Sequence, residues 1–262
     1  MAKLSGQHAF ITGGGSGIGL ACAKVFIEDG AQVTLMGRRQ AQLEAALTEL
    51  KAGNRAHYLV GDIAIESSVA EAIAQAHRRA PLSIVIANAG TGAAAPLLDT
   101  SSADWEAVIQ TNLNGTFYTI KHGAVALRSG GTGTMCAVSS IAGLRTHRYM
   151  SAYCASKAGI DMLVRNAADE LGDLGIRVNS VCPGLVETQL STGLHEHDAM
   201  RNDYLDCMPV RRTGQPEDIA RAVRFLSGPE SSWITGVSLP VDGGHHLRRG
   251  PNLDHLLNPA AV

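Results

Sequence analysis

The sequence has 262 residues, of which 45% are hydrophobic and 18% are charged. This length suits one α/β domain with a large core, and the composition is that of an ordinary globular protein. The formal net charge of −2 gives no overall basic field that would attract nucleic acid or an anionic membrane. We therefore expect neither nucleic acid nor a membrane as a partner.

The cysteines and the N-terminus indicate a cytoplasmic protein. An odd number of widely separated cysteines argues against a disulfide framework or a zinc knuckle, and it favours a reducing compartment. The N-terminal segment lacks the long apolar run of a signal peptide, and no stretch approaches the ~18 apolar residues of a membrane span. The cysteines are Cys22, Cys136, Cys154, Cys182 and Cys207.

Short apolar runs alternate with longer helical stretches along the chain. In chain order, the first half predicts a strand at 8–12, a glycine-rich turn, a helix to about residue 29, a strand at 32–36, a helix at 41–50, a strand at 56–60, a helix at 67–79 and a strand at 83–87. The second half predicts a long helix at 104–127, a strand at 133–138, a helix at 151–171, a strand at 176–182, a helix at 216–227 and a strand at 236–239.

This alternation predicts a Rossmann-type doubly wound parallel sheet of about seven strands, with helices on both faces. We expect a single dinucleotide-binding and catalytic domain over residues 1–262. The irregular segment at about 185–212 is then the substrate loop, and residues 245–262 form a C-terminal tail without a clear hydrophobic periodicity.

A glycine-rich segment with the spacing TGxxxGxG follows the first predicted strand and opens the first helix. Glycines allow a sharp turn and leave room for a pyrophosphate, while the helix N-terminus offers free N–H groups to phosphate oxygens. A purely structural turn is the alternative, since loops are generally rich in glycine. The position between a strand and a helix favours phosphate binding.

Tyr153 and Lys157 stand four residues apart on a predicted helix and therefore share one face. Ser140 follows the fifth strand, at the edge of the sheet where ligands bind. Oxidation of an alcohol needs a base on the hydroxyl oxygen, but free tyrosine has a pKa of about 10. A nearby ammonium favours the phenolate. We therefore expect Tyr153 to act as acid and base, Lys157 to lower its pKa, and Ser140 to hold the substrate oxygen.

Taken in order, these motifs resemble the short-chain dehydrogenase/reductase family over about residues 5 to 244. The resemblance implies that Asn112, in the segment NLNG, is a fourth catalytic residue that supports a water-linked proton path through the lysine. It also implies an adenine-pocket aspartate, an NAG motif after the fourth strand, and a PG motif with a carboxamide-binding threonine. The implied cofactor contacts are Gly13, Gly15, Ser16, Gly17, Ile18, Gly19, Arg38, Arg39, Asp62, Ile63, Asn88, Ala89, Gly90, Tyr153, Lys157, Pro183, Gly184, Val186 and Thr188.

The expected function is an NAD(P)-dependent oxidoreductase that interconverts a secondary alcohol and a ketone on a small molecule. One alternative is a non-catalytic dinucleotide-binding scaffold or sensor, although such proteins usually lose their catalytic residues. An epimerase or dehydratase would generally be longer, and an enoyl reductase would show a wider Tyr–Lys spacing. The family's long helices commonly pack between subunits, so the resemblance also implies a homotetramer or homodimer.

The end of the second strand indicates which dinucleotide binds. An acidic residue there would accept hydrogen bonds from the ribose hydroxyls, but Gly37 occupies the place and Arg38 and Arg39 follow. An arginine fork suits a 2′-phosphate, so NADP(H) is favoured and NAD(H) remains possible. The alternative is that Arg38 caps the next helix or simply faces solvent.

Several histidines and arginines fall outside these motifs. His195 and His197 have a spacing that points their side chains apart on a helix, so we predict no metal site. Arg145, His147 and Arg148 could meet an anionic substrate or lie on a solvated loop. His245 and His246 are expected at the surface or at a subunit interface.

Overall fold

Seven parallel strands form one sheet in the computed structural model, which describes residues 3–192 and 198–248. The strands are β1 (His8–Thr12), β2 (Gln32–Gly37), β3 (Ala56–Val60), β4 (Ile84–Ala87), β5 (Gly133–Val138), β6 (Ile176–Pro183) and β7 (Ser238–Val241). The helices are α1 (Gly17–Glu28), α2 (Gln40–Leu50), α3 (Glu66–Arg79), α4 (Ser102–Ile109), α5 (Gly115–Arg128), α6 (Ser151–Gly172), α7 (Asp198–Cys207) and α8 (Pro216–Ser227).

The strand order is β3-β2-β1-β4-β5-β6-β7, and every neighbouring pair is parallel. The chain therefore builds the sheet in one direction from β1 to β3 and then crosses back to β4 on the other side of β1. Ligands bind at such a switch point, beyond the carboxyl ends of the strands. The predicted Rossmann-type architecture is confirmed.

Two apolar cores cover the two faces of the sheet. One core packs α1, α2 and α8 against the sheet, with Phe26, Leu43 and Val223 fully or almost fully buried. The other core packs α3, α5 and α6 against the opposite face, with Ile73 and Leu127 among its buried members. Alternate residues of a strand enter opposite cores, which explains why the fully buried strand β4 is apolar at every position.

Two predicted elements differ from the observed ones. The helix predicted at 104–127 is divided into α4 and α5 by a π-helical turn at Gln110–Asn114. The last strand begins at Ser238 instead of 236, because Gly236 adopts a left-handed conformation with φ of +74° and turns the chain before the strand starts.

Some sequence interpretations fall partly or wholly outside the described residues. His195 and His197 lie outside them, as do residues 249–262 of the predicted tail. Within the ranges 3–192 and 198–248, no group of three metal-binding side chains is present, and no helix is both long and apolar enough to cross a membrane.

Candidate active site

The glycine loop between β1 and α1 is shaped by close backbone contacts. Gly13 and Gly17 adopt left-handed conformations, with φ of +65° and +51°. A Cβ atom at Gly13 would lie 2.9 Å from the Cα atom of Ala89, and one at Gly19 would collide with the carbonyl oxygen of Gly13. The loop therefore tolerates no side chain at these positions and brings bare backbone to the start of α1, where an anion binds favourably.

Thr12, which the sequence interpretation left without a role, joins this loop to the segment after β4. Its buried Oγ1 accepts hydrogen bonds from the backbone N–H groups of Asn88 (3.0 Å) and Ala89 (3.1 Å). The Asn88 side chain donates in return to the carbonyl oxygens of Thr12 (2.9 Å) and Gly13 (3.3 Å). The Asn88 amide thus holds the phosphate loop in shape.

The loop after β6 meets the glycine loop from the other side. The Thr188 side chain lies 3.4 Å from the Cβ position of Gly17. A cleft of about 860 Å³ borders both segments and is lined by Gly15, Ser16, Thr188 and Arg201 among others. Neither Tyr153 nor Lys157 lines this cleft, so it marks the outer side of the phosphate loop rather than the place of reaction.

Asn112 lies fully buried inside the π-helical turn, a feature often found at functional sites. Its Oδ1 accepts the Thr91 N–H at 2.8 Å, and its Nδ2 donates to the Thr91 carbonyl (2.9 Å) and to Ser156 Oγ (3.1 Å). A Cβ at Gly90 would lie 3.2 Å from Asn112 Oδ1 and 3.8 Å from Lys157 Nζ. Asn112 therefore couples the NAG segment to the helix that carries the lysine.

The predicted Tyr–Lys pair shares one face of α6. Lys157 Nζ lies 5.5 Å from the centroid of the Tyr153 ring and donates a 2.8 Å hydrogen bond to the Val138 carbonyl at the end of β5. Ser139 Oγ fixes the helix against the same strand by donating to the Lys157 carbonyl at 3.2 Å. Ser140 opens the next turn, where its Oγ accepts the Ala142 N–H at 3.1 Å.

Burial has the largest effect on the pKa of both residues of this pair. Burial lowers the pKa of Lys157 to about 8, although the charge of Asp161 opposes the change. Burial raises the pKa of Tyr153, while a hydrogen bond with Ser140 opposes the rise. The tyrosine is therefore a protonated phenol at neutral pH in the protein alone, and the expected effect of Lys157 on its pKa stays a prediction.

The other predicted cofactor contacts lie at the same edge of the sheet. Asp62 Oδ1 accepts the Ala64 N–H at 3.0 Å, and Ile63 is buried against Gly115 at the start of α5. Ile18 packs partly into the core instead of pointing fully outward.

The end of β6 carries the remaining predicted contacts. Pro183 is buried there, and Gly184 approaches Asp242 too closely for a side chain. Val186 forms an isolated β-bridge with Gly214.

Arg38 and Arg39 are both exposed where the chain passes from β2 to α2. Arg39 is the residue that precedes α2, yet its side chain makes no capping hydrogen bond in the described residues. Gly37 ends β2 without a side chain that would fill the space beside the arginines. Both guanidinium groups are therefore available to a ligand phosphate.

The expectation that His245 lies at the surface is wrong within this chain, because only 4% of it is exposed. Its ring packs edge-on against Tyr204 of α7, with the centroids 5.5 Å apart, and lies 6.1 Å from the His147 ring. The turn after β7 packs against the segment that follows Ser140, and this contact buries His245. His246 is exposed, as expected, and its Nδ1 lies 2.8 Å from Asp242 Oδ2.

Comparisons with known proteins agree with this geometry. A family model described as enoyl-(acyl carrier protein) reductase matches residues 13–246. Galactitol 2-dehydrogenase (L-tagatose-forming) of Cereibacter sphaeroides is 35% identical over 245 residues, covering 93% of this chain and 96% of its own. 2-(S)-Hydroxypropyl-CoM dehydrogenase 3 of Xanthobacter autotrophicus is 34% identical over 248 residues, covering 92% and 97%.

A solved structure also resembles this chain, in both fold and sequence. A short-chain type dehydrogenase/reductase from Mycobacterium ulcerans superimposes with a TM-score of 0.89 at 36% sequence identity, covering 97% of this chain and 95% of that one. Sequence and fold thus agree with the known proteins over nearly the whole length. The chain belongs to the short-chain dehydrogenase/reductase family of oxidoreductases.

Proposed function

We propose that the protein is a nicotinamide-dependent alcohol dehydrogenase or carbonyl reductase, favouring NADP(H), that acts on a small secondary alcohol or its ketone. One observation carries the proposal. The phenol of Tyr153, the ammonium of Lys157 and the hydroxyl of Ser140 meet at the carboxyl ends of β4 and β5, beside the glycine loop. The names of the two dehydrogenase relatives support a small-molecule alcohol as substrate.

The residues fit a dinucleotide. Side chains at Gly13 and Gly19 would collide with Ala89 and with the Gly13 carbonyl, so the loop brings bare backbone to the N-terminus of α1, which suits a pyrophosphate. Asp62 and Ile63 would hold the adenine end, and Gly184, Val186 and Thr188 the carboxamide end. When bound, the nicotinamide supplies the atom that accepts or donates hydride.

The proton is handled by the chain's own groups. In ketone reduction, the protonated Tyr153 phenol donates its proton to the carbonyl oxygen, while the Ser140 hydroxyl donates a hydrogen bond to the same oxygen. Lys157 lies 5.5 Å from the phenol ring and stabilises the phenolate that results. In alcohol oxidation the same phenolate must form first, and it then takes the hydroxyl proton.

The decisive experiment is a substrate screen that follows reduced-nicotinamide absorbance with both coenzymes. Wild type should turn over at least one secondary alcohol or ketone, and Y153F should lose more than about a hundredfold in kcat because it lacks the proton donor. Coenzyme affinity should be the same in both proteins. Cofactor binding without turnover by wild type across the panel would instead favour the dinucleotide-binding scaffold.

The preference for NADP(H) rests on the two exposed arginines after Gly37. We expect R38Q and R39Q to raise the Kd of NADPH by about ten- to a hundredfold, because each removes a charge-assisted hydrogen bond to phosphate. The Kd of NADH should change little. R79Q, at the exposed end of α3, is the matched control. Equal weakening of both coenzymes would show that the arginines do not read the 2′-phosphate.

The description of the matching family model does not decide the reaction. An enoyl reductase is expected to show a wider Tyr–Lys spacing, whereas Tyr153 and Lys157 are one helical turn apart. Reduction of a carbon–carbon double bond is therefore not part of our proposal.

We further propose a homotetramer or homodimer and a cytoplasmic location. Exposed apolar side chains on the outer faces of α5 and α6 support self-association, since Phe117, Val125 and Met162 are each more than 40% exposed. Light scattering at micromolar concentration should give a mass of two or four chains. A monomer would refute the assembly.

A further inference from the structure

Four polar side chains from three separate segments meet around His245. Arg145 and His147 come from the loop after Ser140, Tyr204 comes from α7, and His245 comes from the turn after β7. The rings of His147 and Tyr204 pack edge-on against His245. The backbone N–H of His147 donates to Cys154 Sγ at 3.4 Å, so the cluster lies against the start of α6, next to Tyr153.

Two nitrogens of this cluster are buried without a partner. Arg145 Nη1 donates to the carbonyl oxygen of His245, but Arg145 Nη2 and His245 Nδ1 have no hydrogen-bond partner in the part of the chain that the structure describes. Since His245 is 96% buried, it cannot simply turn to solvent. A buried polar group left unpaired costs about 1–3 kcal/mol, so an acceptor supplied by a ligand would relieve a real penalty.

The charge of this cluster is also unbalanced. Among residues 3–192 and 198–248, no carboxylate forms an ion pair with Arg145. The acid nearest to His245 is Asp242, but its oxygens accept from the Gly244 N–H (3.0 Å), the His246 N–H (2.7 Å) and the His246 ring (2.8 Å). Burial lowers the pKa of both His147 and His245, so they are neutral donors and Arg145 is the single cation.

We propose that Arg145 and His245 form a carboxylate subsite, and that the natural substrate is a hydroxy acid or the corresponding oxo acid. One cation with a free Nη2 donor and a neighbouring imidazole matches a planar monoanion, whereas a phosphate dianion would need more positive charge. The carboxylate would lie apart from the reacting carbon and orient it toward Tyr153. The subsite rests on the proposed function, because only that function places a substrate here.

Binding of a carboxylate tests this subsite without requiring turnover. The full chain with saturating NADP⁺ is titrated calorimetrically with cyclohexanecarboxylate and, separately, with cyclohexanecarboxamide, which has the same shape but no charge. Wild type should bind the acid at least tenfold more tightly than the amide. In R145Q, the ratio of the two affinities should fall by about ten- to a hundredfold, the effect of one charged hydrogen bond.

R148Q is the matched control. Arg148 lies three residues further along, is exposed, and stacks on the Tyr149 ring at 4.7 Å, so its loss should leave the ratio unchanged. H245F is a second variant: it preserves the ring packing with Tyr204 but removes Nδ1, and it should also reduce the ratio. H245F keeps the subsite testable if R145Q fails to fold, as judged by its thermal melting curve.

The outcomes separate the subsite from the proposed function. Equal affinity of wild type for acid and amide would overturn the subsite, as would equal effects of R145Q and R148Q. A wild type that oxidises neutral alcohols and prefers no acid would overturn the subsite while supporting the proposed function. A wild type that binds cyclohexanecarboxylate through Arg145 but turns over no alcohol would support the subsite and overturn the function.

Discussion

Asp161 follows Lys157 by one helical turn on the buried side of α6, and its charge opposes the fall in the lysine pKa that burial causes. The carboxylate is held in place from β6, where Ser180 Oγ donates at 2.9 Å and Cys182 Sγ donates at 3.8 Å. Asp161 is therefore a positioning residue that helps Lys157 keep its proton near neutral pH.

We expect D161N to shift the pH dependence of catalysis. Without the carboxylate, Lys157 loses its proton at a lower pH, and the neutral amine stabilises the Tyr153 phenolate less well. The alkaline limb of kcat/KM should move to lower pH, with about a tenfold loss at pH 8, the equivalent of one pKa unit. S180A is the control, since it removes a hydrogen bond but keeps the charge. A pH profile that D161N leaves unmoved would show that Asp161 is only structural.

A second prediction concerns stability in alkaline solution. The folded-state pKa of Lys157 is about 8, below its usual value of 10.5, so between these values the unfolded chain binds more protons than the folded one. The contribution of Lys157 to stability therefore rises with pH across this window. In urea unfolding, the free energy of unfolding of wild type minus that of K157M should grow by about 2 kcal/mol from pH 7.5 to 10. A constant difference would contradict the lowered pKa.

Local patterns predicted most of the fold. The strands from β1 to β6 were located to within one residue at each end, because each is a short segment rich in apolar residues and flanked by turn or helical patterns. The π-helical turn was not predicted, because the hydrophobic periodicity of the sequence does not distinguish it from the flanking α-helices. The change of hydrogen-bond register depends on Asn112 pairing with the Thr91 backbone, which is 21 residues distant.

The site was predictable where a motif carries its own chemistry. Tyr153 and Lys157 lie on one helix, so their shared face follows from spacing alone. The roles of Thr12 and His245 depend on partners 76 and 100 residues away, and no local pattern announces such contacts. Asp161 did leave a signal, the same four-residue step that links Tyr153 to Lys157.

G90A tests the coupling of the NAG segment to the buried asparagine. Its new methyl group would lie 3.2 Å from Asn112 Oδ1 and would push that side chain away from the lysine. We expect kcat to fall by about tenfold or more, with little change in melting temperature. G172A, whose added Cβ meets nothing within 4 Å, is the control and should stabilise the protein by about 0.4–1 kcal/mol. Equal kcat values for G90A and wild type would contradict the coupling.

The Thr12 hydroxyl accepts two of the hydrogen bonds that join the phosphate loop to the segment after β4, so T12V should lower both protein stability and coenzyme affinity. Valine keeps the shape but leaves the N–H groups of Asn88 and Ala89 without their acceptor, at a cost of about 1–3 kcal/mol for each group that stays unpaired. T12S keeps the hydroxyl and should restore most of the loss. Urea unfolding gives the stability, and fluorescence titration gives the coenzyme Kd, which should rise in T12V because the glycine loop loses its support. If T12V were as stable as T12S and bound coenzyme as tightly, the hydroxyl would have no such role.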